Sequence, residues 1–209
     1  MQSARDSMQV EDRWQSAKDA AHYADARFSG AQADRDLQLV TRLIERFDGG
    51  RATRSILDVP AGTGRLHDGL AHLSKLVCGV DVSPAMLERS AYRRASRGLV
   101  ADARALPFRD GAFDVVVSCR LLHHLEEAQL TEVVAELLRV SDRLVVASFW
   151  DAACWTETRK RLGLRVRTDA RRAISRQRLA LLVERAGGRV LGHASSFRFF
   201  SPQTFVALR

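Results

Sequence analysis

Apolar residues along the chain fall into two alternating kinds of run. Short, nearly continuous stretches recur: Ile56-Leu57 with Val59, Leu76-Val77-Cys78-Gly79-Val80, Leu99-Val100-Ala101, Phe113 with Val115-Val116-Val117, and Leu144 to Phe149. Each has strand length and enough apolar residues to be covered on both faces, as in a parallel sheet. Between them the apolar positions take helical spacing. Leu66, Leu70 and Leu73 follow the first strand from Arg65. Met86, Leu87 and Tyr92 follow the second, in a helix that Ser83 caps, that Pro84 opens and that runs to Arg97-Gly98. Leu130, Val133, Val134, Leu137 and Leu138 line a helix over Glu126 to Val140. Strands alternating with helices in this way predict an α/β fold, with an open, mostly parallel sheet and helices on both faces.

The flanks read differently. Trp14, Ala17, Ala21, Ala24 and Phe28 mark a helix from Glu11 to Phe28, with Tyr23 and Arg27 four apart on a neighbouring face. A second helix, from Ala33 to Phe47, turns Leu37, Val40, Leu43 and Ile44 inward and ends at Asp48-Gly49-Gly50. This helical extension over residues 1–50 either lids a ligand site or packs on the sheet. After the fifth strand, residues 150–172 show no clear period and carry seven basic residues, Arg159, Lys160, Arg161, Arg165, Arg167, Arg171 and Arg172. A helix from Ile174 to Ala186 follows. Arg189 to His193 and Thr204 to Leu208 then read as a closing antiparallel hairpin, which brings the sheet to seven strands.

Bulk properties narrow this only a little. A chain of 209 residues suits one core, so 1–209 is expected to be a single domain. No run reaches the apolar length of a membrane span, and Met1 to Asp6 lacks a signal-peptide core. Cys78, Cys119 and Cys154 form no close pair, so no disulfide framework or metal site is expected, and a cytoplasmic setting follows by default. The net charge of +8 admits an acidic partner such as nucleic acid. Lysine occurs only at Lys18, Lys75 and Lys160 and asparagine nowhere, however, so arginine bias in a GC-rich coding sequence gives the same charge without any partner. Nothing in the pattern fixes an oligomeric state.

The candidate chemistry sits at the carboxyl ends of the strands. Ser55 to Arg65 runs from a strand through a glycine turn (Gly62, Gly64) into a helix, the arrangement that brings backbone N–H groups up to a ligand. Asp58 stands at the mouth of that turn, where an acid would oppose a pyrophosphate. Asp81, Asp102 and Ser118 end the next strands, and ligands of such sheets bind outside those ends.

Four segments in order carry a specific resemblance: Leu57-Asp58-Val59-Pro60-Ala61-Gly62-Thr63-Gly64, Val80-Asp81-Val82-Ser83-Pro84-Ala85-Met86, Ala101-Asp102-Ala103 with Leu106-Pro107-Phe108, and Phe113-Asp114-Val115-Val116. The chain resembles the class I S-adenosylmethionine-dependent methyltransferases of the small-molecule branch, closely over Ser55 to Phe149 and loosely at the two terminal strands. The resemblance implies a Rossmann-like, doubly wound sheet with residues 51–149 as the cofactor-binding core, residues 150–172 as an acceptor-site segment, and 173–209 as the final helix and closing strands. It also implies S-adenosylmethionine as cofactor. Asp58 would meet the ammonium, and the turn N–H groups of Ala61, Gly62 and Gly64 the carboxylate. Asp81 would accept the ribose hydroxyls, with Val82 beside it and Met86 on the adenine. Asp102 and the Ala103 backbone would meet the exocyclic amine, and Ser118 and Cys119 would border the methyl group.

One departure is Pro60, which replaces a glycine and removes a backbone donor. Arg65 either approaches the carboxylate in compensation or ties the turn to its neighbours. Methyl transfer needs alignment above all, and a base only where the acceptor loses a proton. His124, then His123, are the base candidates, with Tyr23 closing from the first helix; a helix cap and a solvated ring are the bland alternative for the two histidines. The acceptor implied is an O or N atom of a small metabolite, anionic or lipid-like given the arginines after Trp150. A nucleic-acid methyltransferase and a non-catalytic cofactor-binding subunit are the alternatives.

Overall fold

The computed structural model describes residues 30–163, 172–196 and 203–209. Its first element is α1 (Gly30–Phe47), followed by β1 (Ser55–Asp58), α2 (His67–Leu73), β2 (Leu76–Asp81), α3 (Pro84–Glu88), α4 (Ala91–Arg94) and β3 (Gly98–Val100). Then come β4 (Phe113–Ser118), a 3-10 turn (Leu122–His124), α5 (Glu127–Val140) and β5 (Ser141–Asp151). The chain ends with α6 (Trp155–Arg161), β6 (Ala173–Ile174), α7 (Arg176–Arg185), β7 (Val190–Ala194) and β8 (Gln203–Leu208). The helix expected over Glu11 to Phe28, with Tyr23 and Arg27, lies outside the described residues.

The strands form one sheet in the order β3-β2-β1-β4-β5-β8-β7. Its first five strands are parallel, and β8 runs antiparallel to both β5 and β7. The seven-stranded sheet with its terminal hairpin is therefore present. An eighth strand, β6, is a two-residue addition that pairs with Trp150 and Asp151. It exists because β5 runs past Phe149, where the apolar run stops, to Asp151.

Alternation along the strands divides the core into two layers. Ile56, Val115, Val117, Leu144, Val146 and Phe205 face α1 and α2, where Val40, Leu43 and Leu70 cover them. Leu57, Val116, Val145, Ala147, Phe149 and Val206 face α5 and α7, against Leu130, Val134, Leu137, Leu179 and Val183. The helix α1 thus packs on the sheet. It also crosses α2 so closely that a Cβ at Gly69 would fall within 3 Å of Leu37.

Two elements depart from the periodicity. The helix expected from Ser83 to Arg97 is two short ones, because Ser90 turns its hydroxyl onto the backbone: its Oγ donates to Leu87 O at 2.7 Å and accepts from Arg93 N at 3.2 Å. The third strand stops at Val100, so Asp102 lies beyond it in a loop. Asp114 of the Phe113-Asp114 segment has a structural role at the opposite edge. It accepts from Arg54 N at 2.6 Å and pairs with Arg143 at 3.3 Å. Among the described residues no helix is long and apolar enough to cross a membrane.

Candidate functional site

The turn after β1 is locked from both sides. Val59 N donates to Val117 O and Ala61 N to Val80 O, and the Val59–Pro60 peptide is cis. Gly62 N donates to Asp81 Oδ2 at 2.7 Å, and Gly64 N to Ala61 O at 2.9 Å. Three N–H groups expected to face a carboxylate are thus used within the fold. Gly64 also has a φ of +76°, and a Cβ there would lie 2.9 Å from Ala91 N. Gly64→Ala is therefore expected to destabilise the protein by about 1–3 kcal/mol, read as a lower urea midpoint, since both backbone strain and a clash with main chain arise at once.

Asp58 is buried and takes one hydrogen bond, from Tyr92 Oη to Oδ2 at 2.8 Å; Oδ1 is buried with no partner among the described residues. Burial pushes its carboxyl up to about 7, against the pull of the Tyr92 hydroxyl and the Arg65 guanidinium. Asp81 is held by Gly62 N on Oδ2 and by Ser83 N on Oδ1, at 2.7 and 2.9 Å, and burial raises its carboxyl too. The Val82 backbone N–H favours its anion as well, and the three backbone bonds use part of the carboxylate's acceptor capacity of about four lone-pair sites. Val82 beside it is exposed, while Met86 is buried. Asp102 is different: Arg104 grips it through Nε and Nη2 and holds its carboxyl below the usual range. Ala103 follows in the same half-exposed loop.

At the end of β4, Ser118 is fully buried and its Oγ has no partner among the described residues. Cys119 is buried as well. Arg65 Nη2 reaches its sulfur at 2.8 Å, and burial pushes the thiol up to about 11, so it is a packed thiol rather than a nucleophile. Arg120 has a φ of +66° and donates its backbone N–H to Ser148 Oγ at 2.7 Å. Its side chain meets Asp36 of α1 at 3.0 Å, and Arg65 Nη1 meets the same carboxylate oxygen at 2.8 Å. Arg65 therefore ties the turn to its neighbours, the second of its two expected roles. Asp36, Arg120 and Tyr92 were not expected at the site. They come from a helix face, a strand end and an apolar-looking helix position, where nothing in the residue spacing marks a site.

His123 and His124 lie in the 3-10 turn, with ring centroids 4.3 Å apart. His123 is buried, 6.0 Å from the Trp150 ring, and its carbonyl accepts from Arg172 N at 2.8 Å. His124 is only half-buried. Tyr23 lies outside the described residues. The strand ends thus gather Asp58, Asp81, Ser118 and the two histidines along one edge, with Asp58 Oδ1 and Ser118 Oγ buried on adjacent strands and without a partner among the described residues.

Residues 57–143 match the family described as "Methyltransferase domain". Over that stretch the chain is similar to methyltransferases. A demethylmenaquinone methyltransferase of Renibacterium salmoninarum is 37% identical over 112 residues, 52% of this chain and 46% of that one. A malonyl-[acyl-carrier protein] O-methyltransferase of Halorhodospira halophila is 37% identical over 111 residues, 50% of this chain and 37% of that one. The matches thus span less than half the length of these curated relatives. Over nearly the whole chain the fold resembles magnesium protoporphyrin IX methyltransferase from Synechocystis with bound SAH. That likeness has a TM-score of 0.74 and 17% identity, covering 96% of this chain and 98% of that one.

Proposed function

We propose that the protein transfers a methyl group from S-adenosylmethionine to an O or N atom of a small anionic or lipid-like metabolite. The observation that carries this is the row of acids at the strand ends, in which Asp58 keeps a buried oxygen with no partner among the described residues. A buried carboxylate oxygen without a partner is costly, and a ligand ammonium would satisfy it. The residues present fit the cofactor on that test.

When bound, the cofactor supplies a methyl carbon already activated by its sulfonium. The chain's own residues bind and align. Asp58 would accept from the ammonium, and Asp81 from the ribose hydroxyls with the acceptor capacity that the Gly62, Ser83 and Val82 N–H groups leave. Val82 and Met86 flank the adenine. Asp102, kept ionised by Arg104, accepts from the exocyclic amine beside the Ala103 backbone. Ser118 and Cys119 border the reacting end, and Arg65 keeps the Gly62–Gly64 turn, with Pro60 and Ala61 at its start, docked on Asp36. His124, less buried than His123, takes the acceptor's proton where one is lost, while His123 supports its ring.

His124→Ala is expected to lower kcat by about 100-fold for a hydroxyl acceptor, with cofactor affinity unchanged. Steady-state kinetics together with calorimetry of S-adenosylhomocysteine binding would check this, and an unchanged kcat would return the histidine to a packing role. The function itself is tested by a labelled-methyl screen against metabolite classes and bulk RNA, with Asp81→Ala as control. Transfer to RNA, or binding without transfer to any pool, would favour the nucleic-acid enzyme or the regulatory subunit instead.

A further inference from the structure

We propose that Tyr92 is a positioning residue for the cofactor's amine: its hydroxyl fixes the Asp58 carboxylate on one oxygen and so reserves the other for an ammonium. The proposal rests on the assignment of Asp58 to the ammonium. Tyr92 is fully buried, and its Oη lies 2.8 Å from Asp58 Oδ2. Three elements hold the ring in that place. It stands on α4; the His67 ring of α2 meets it edge-on, at 4.7 Å and 87°. Gly79 of β2 lies flat beneath it, and any Cβ there would come within 2.4–2.8 Å of the ring. The phenol can therefore neither rotate away nor be replaced by water. A carboxylate gripped on Oδ2 by an immobile donor cannot swivel, and its Oδ1 remains buried without a partner among the described residues.

The arrangement makes cofactor affinity depend on pH. One neutral donor is poor compensation for a buried carboxylate, so the empty site favours the protonated acid. Around it stand Arg65 of the glycine turn, which favours the anion, and Asp81 of β2, which opposes it. His67, Asp68 and Cys78 lie about the phenol side of the pair. An arriving ammonium ionises Asp58, so binding releases a proton from the carboxyl to solvent. The carboxyl titrates at about 7 before binding, so affinity rises with pH up to that point and levels off above it.

Removing the hydroxyl takes away the one hydrogen bond among the described residues that favours the anion. Tyr92→Phe should therefore weaken binding of S-adenosylhomocysteine about 5- to 10-fold at pH 7 and move the break in the affinity profile upward by about one pH unit. A merely structural role for Tyr92 would weaken binding equally at all pH values, without moving the break. Calorimetry between pH 5.5 and 9 reads both effects. In the wild-type protein at pH 6, titrations in buffers of different ionisation enthalpy should show close to one proton released per ligand bound. That measurement stands even if the variant folds poorly. Cofactor binding with no proton release, or a Tyr92→Phe profile that keeps the wild-type break, would overturn the role of Tyr92 while leaving Asp58 in place. Failure of the wild-type protein to bind at any pH would overturn the cofactor assignment, and this proposal with it.

Discussion

Asp81→Ala is expected to lower cofactor affinity by at least about 100-fold and to remove methyl transfer. The carboxylate has two tasks at once. It holds Gly62 N and Ser83 N, at 2.7 and 2.9 Å, which fixes the glycine turn against the end of β2. Its remaining lone pairs are the acceptors assigned to the ribose hydroxyls. Hydrogen bonds to a charged group contribute roughly 1.5–3 kcal/mol each, and losing two of them reaches about two orders of magnitude in affinity. The turn loses its anchor as well, which adds to the effect. Asp81→Asn separates the two tasks. The amide still accepts on one oxygen, so the variant should keep one backbone contact and a measurable part of the affinity. Calorimetry with S-adenosylhomocysteine decides the matter, and an Asp81→Ala protein that binds within threefold of wild type would remove Asp81 from the site.

The sequence pattern identified the strands well because both layers of the sheet are covered. Continuous apolar runs such as Val115-Val116-Val117 have no other place to go, and β4 and β2 have the bounds that these runs predict. Local chemistry defeated the pattern elsewhere. Ser90 has the polarity of an ordinary exposed helix residue, yet its hydroxyl ends one helix and caps the next. The strand β6 is two residues long, too short for any periodicity to register.

At the site, the acids were legible because each ends an apolar run. Their partners were not. Tyr92 falls at a helical apolar position and reads as core, which it is by burial, but its hydroxyl is what shapes Asp58. Asp36 is separated from Arg65 by 29 positions and from Arg120 by 84, so only folding brings the three together. Arg65 is the intermediate case. Its place after Gly64 raised two roles, and the packing of α1 over the turn accounts for its pairing with Asp36.

Asp58→Asn is expected to move stability and binding in opposite directions. In the folded protein without cofactor, the carboxyl is raised from 3.8 to about 7, chiefly by burial. A folded value above the unfolded one means that the native state binds more protons between those limits. The stabilising contribution is therefore fully present below about pH 4 and is lost as pH rises through about 7. At pH 8 the wild-type protein carries the buried charge, and asparagine removes it. The gain should be about 1–2 kcal/mol, less than the whole pKa shift would give, because the new amide NH₂ must itself find an acceptor. Urea unfolding at pH 5 and at pH 8 checks the sign: the variant's advantage should appear at the higher pH and shrink at the lower. Cofactor affinity should fall by about 100-fold in the same variant, since a neutral amide cannot neutralise an ammonium in a water-poor site. An Asp58 that served only to pack the turn would lose stability on substitution and bind ligand normally once folded. Stability gained at pH 8 together with binding lost is the signature of a carboxylate kept at a folding cost for its ligand.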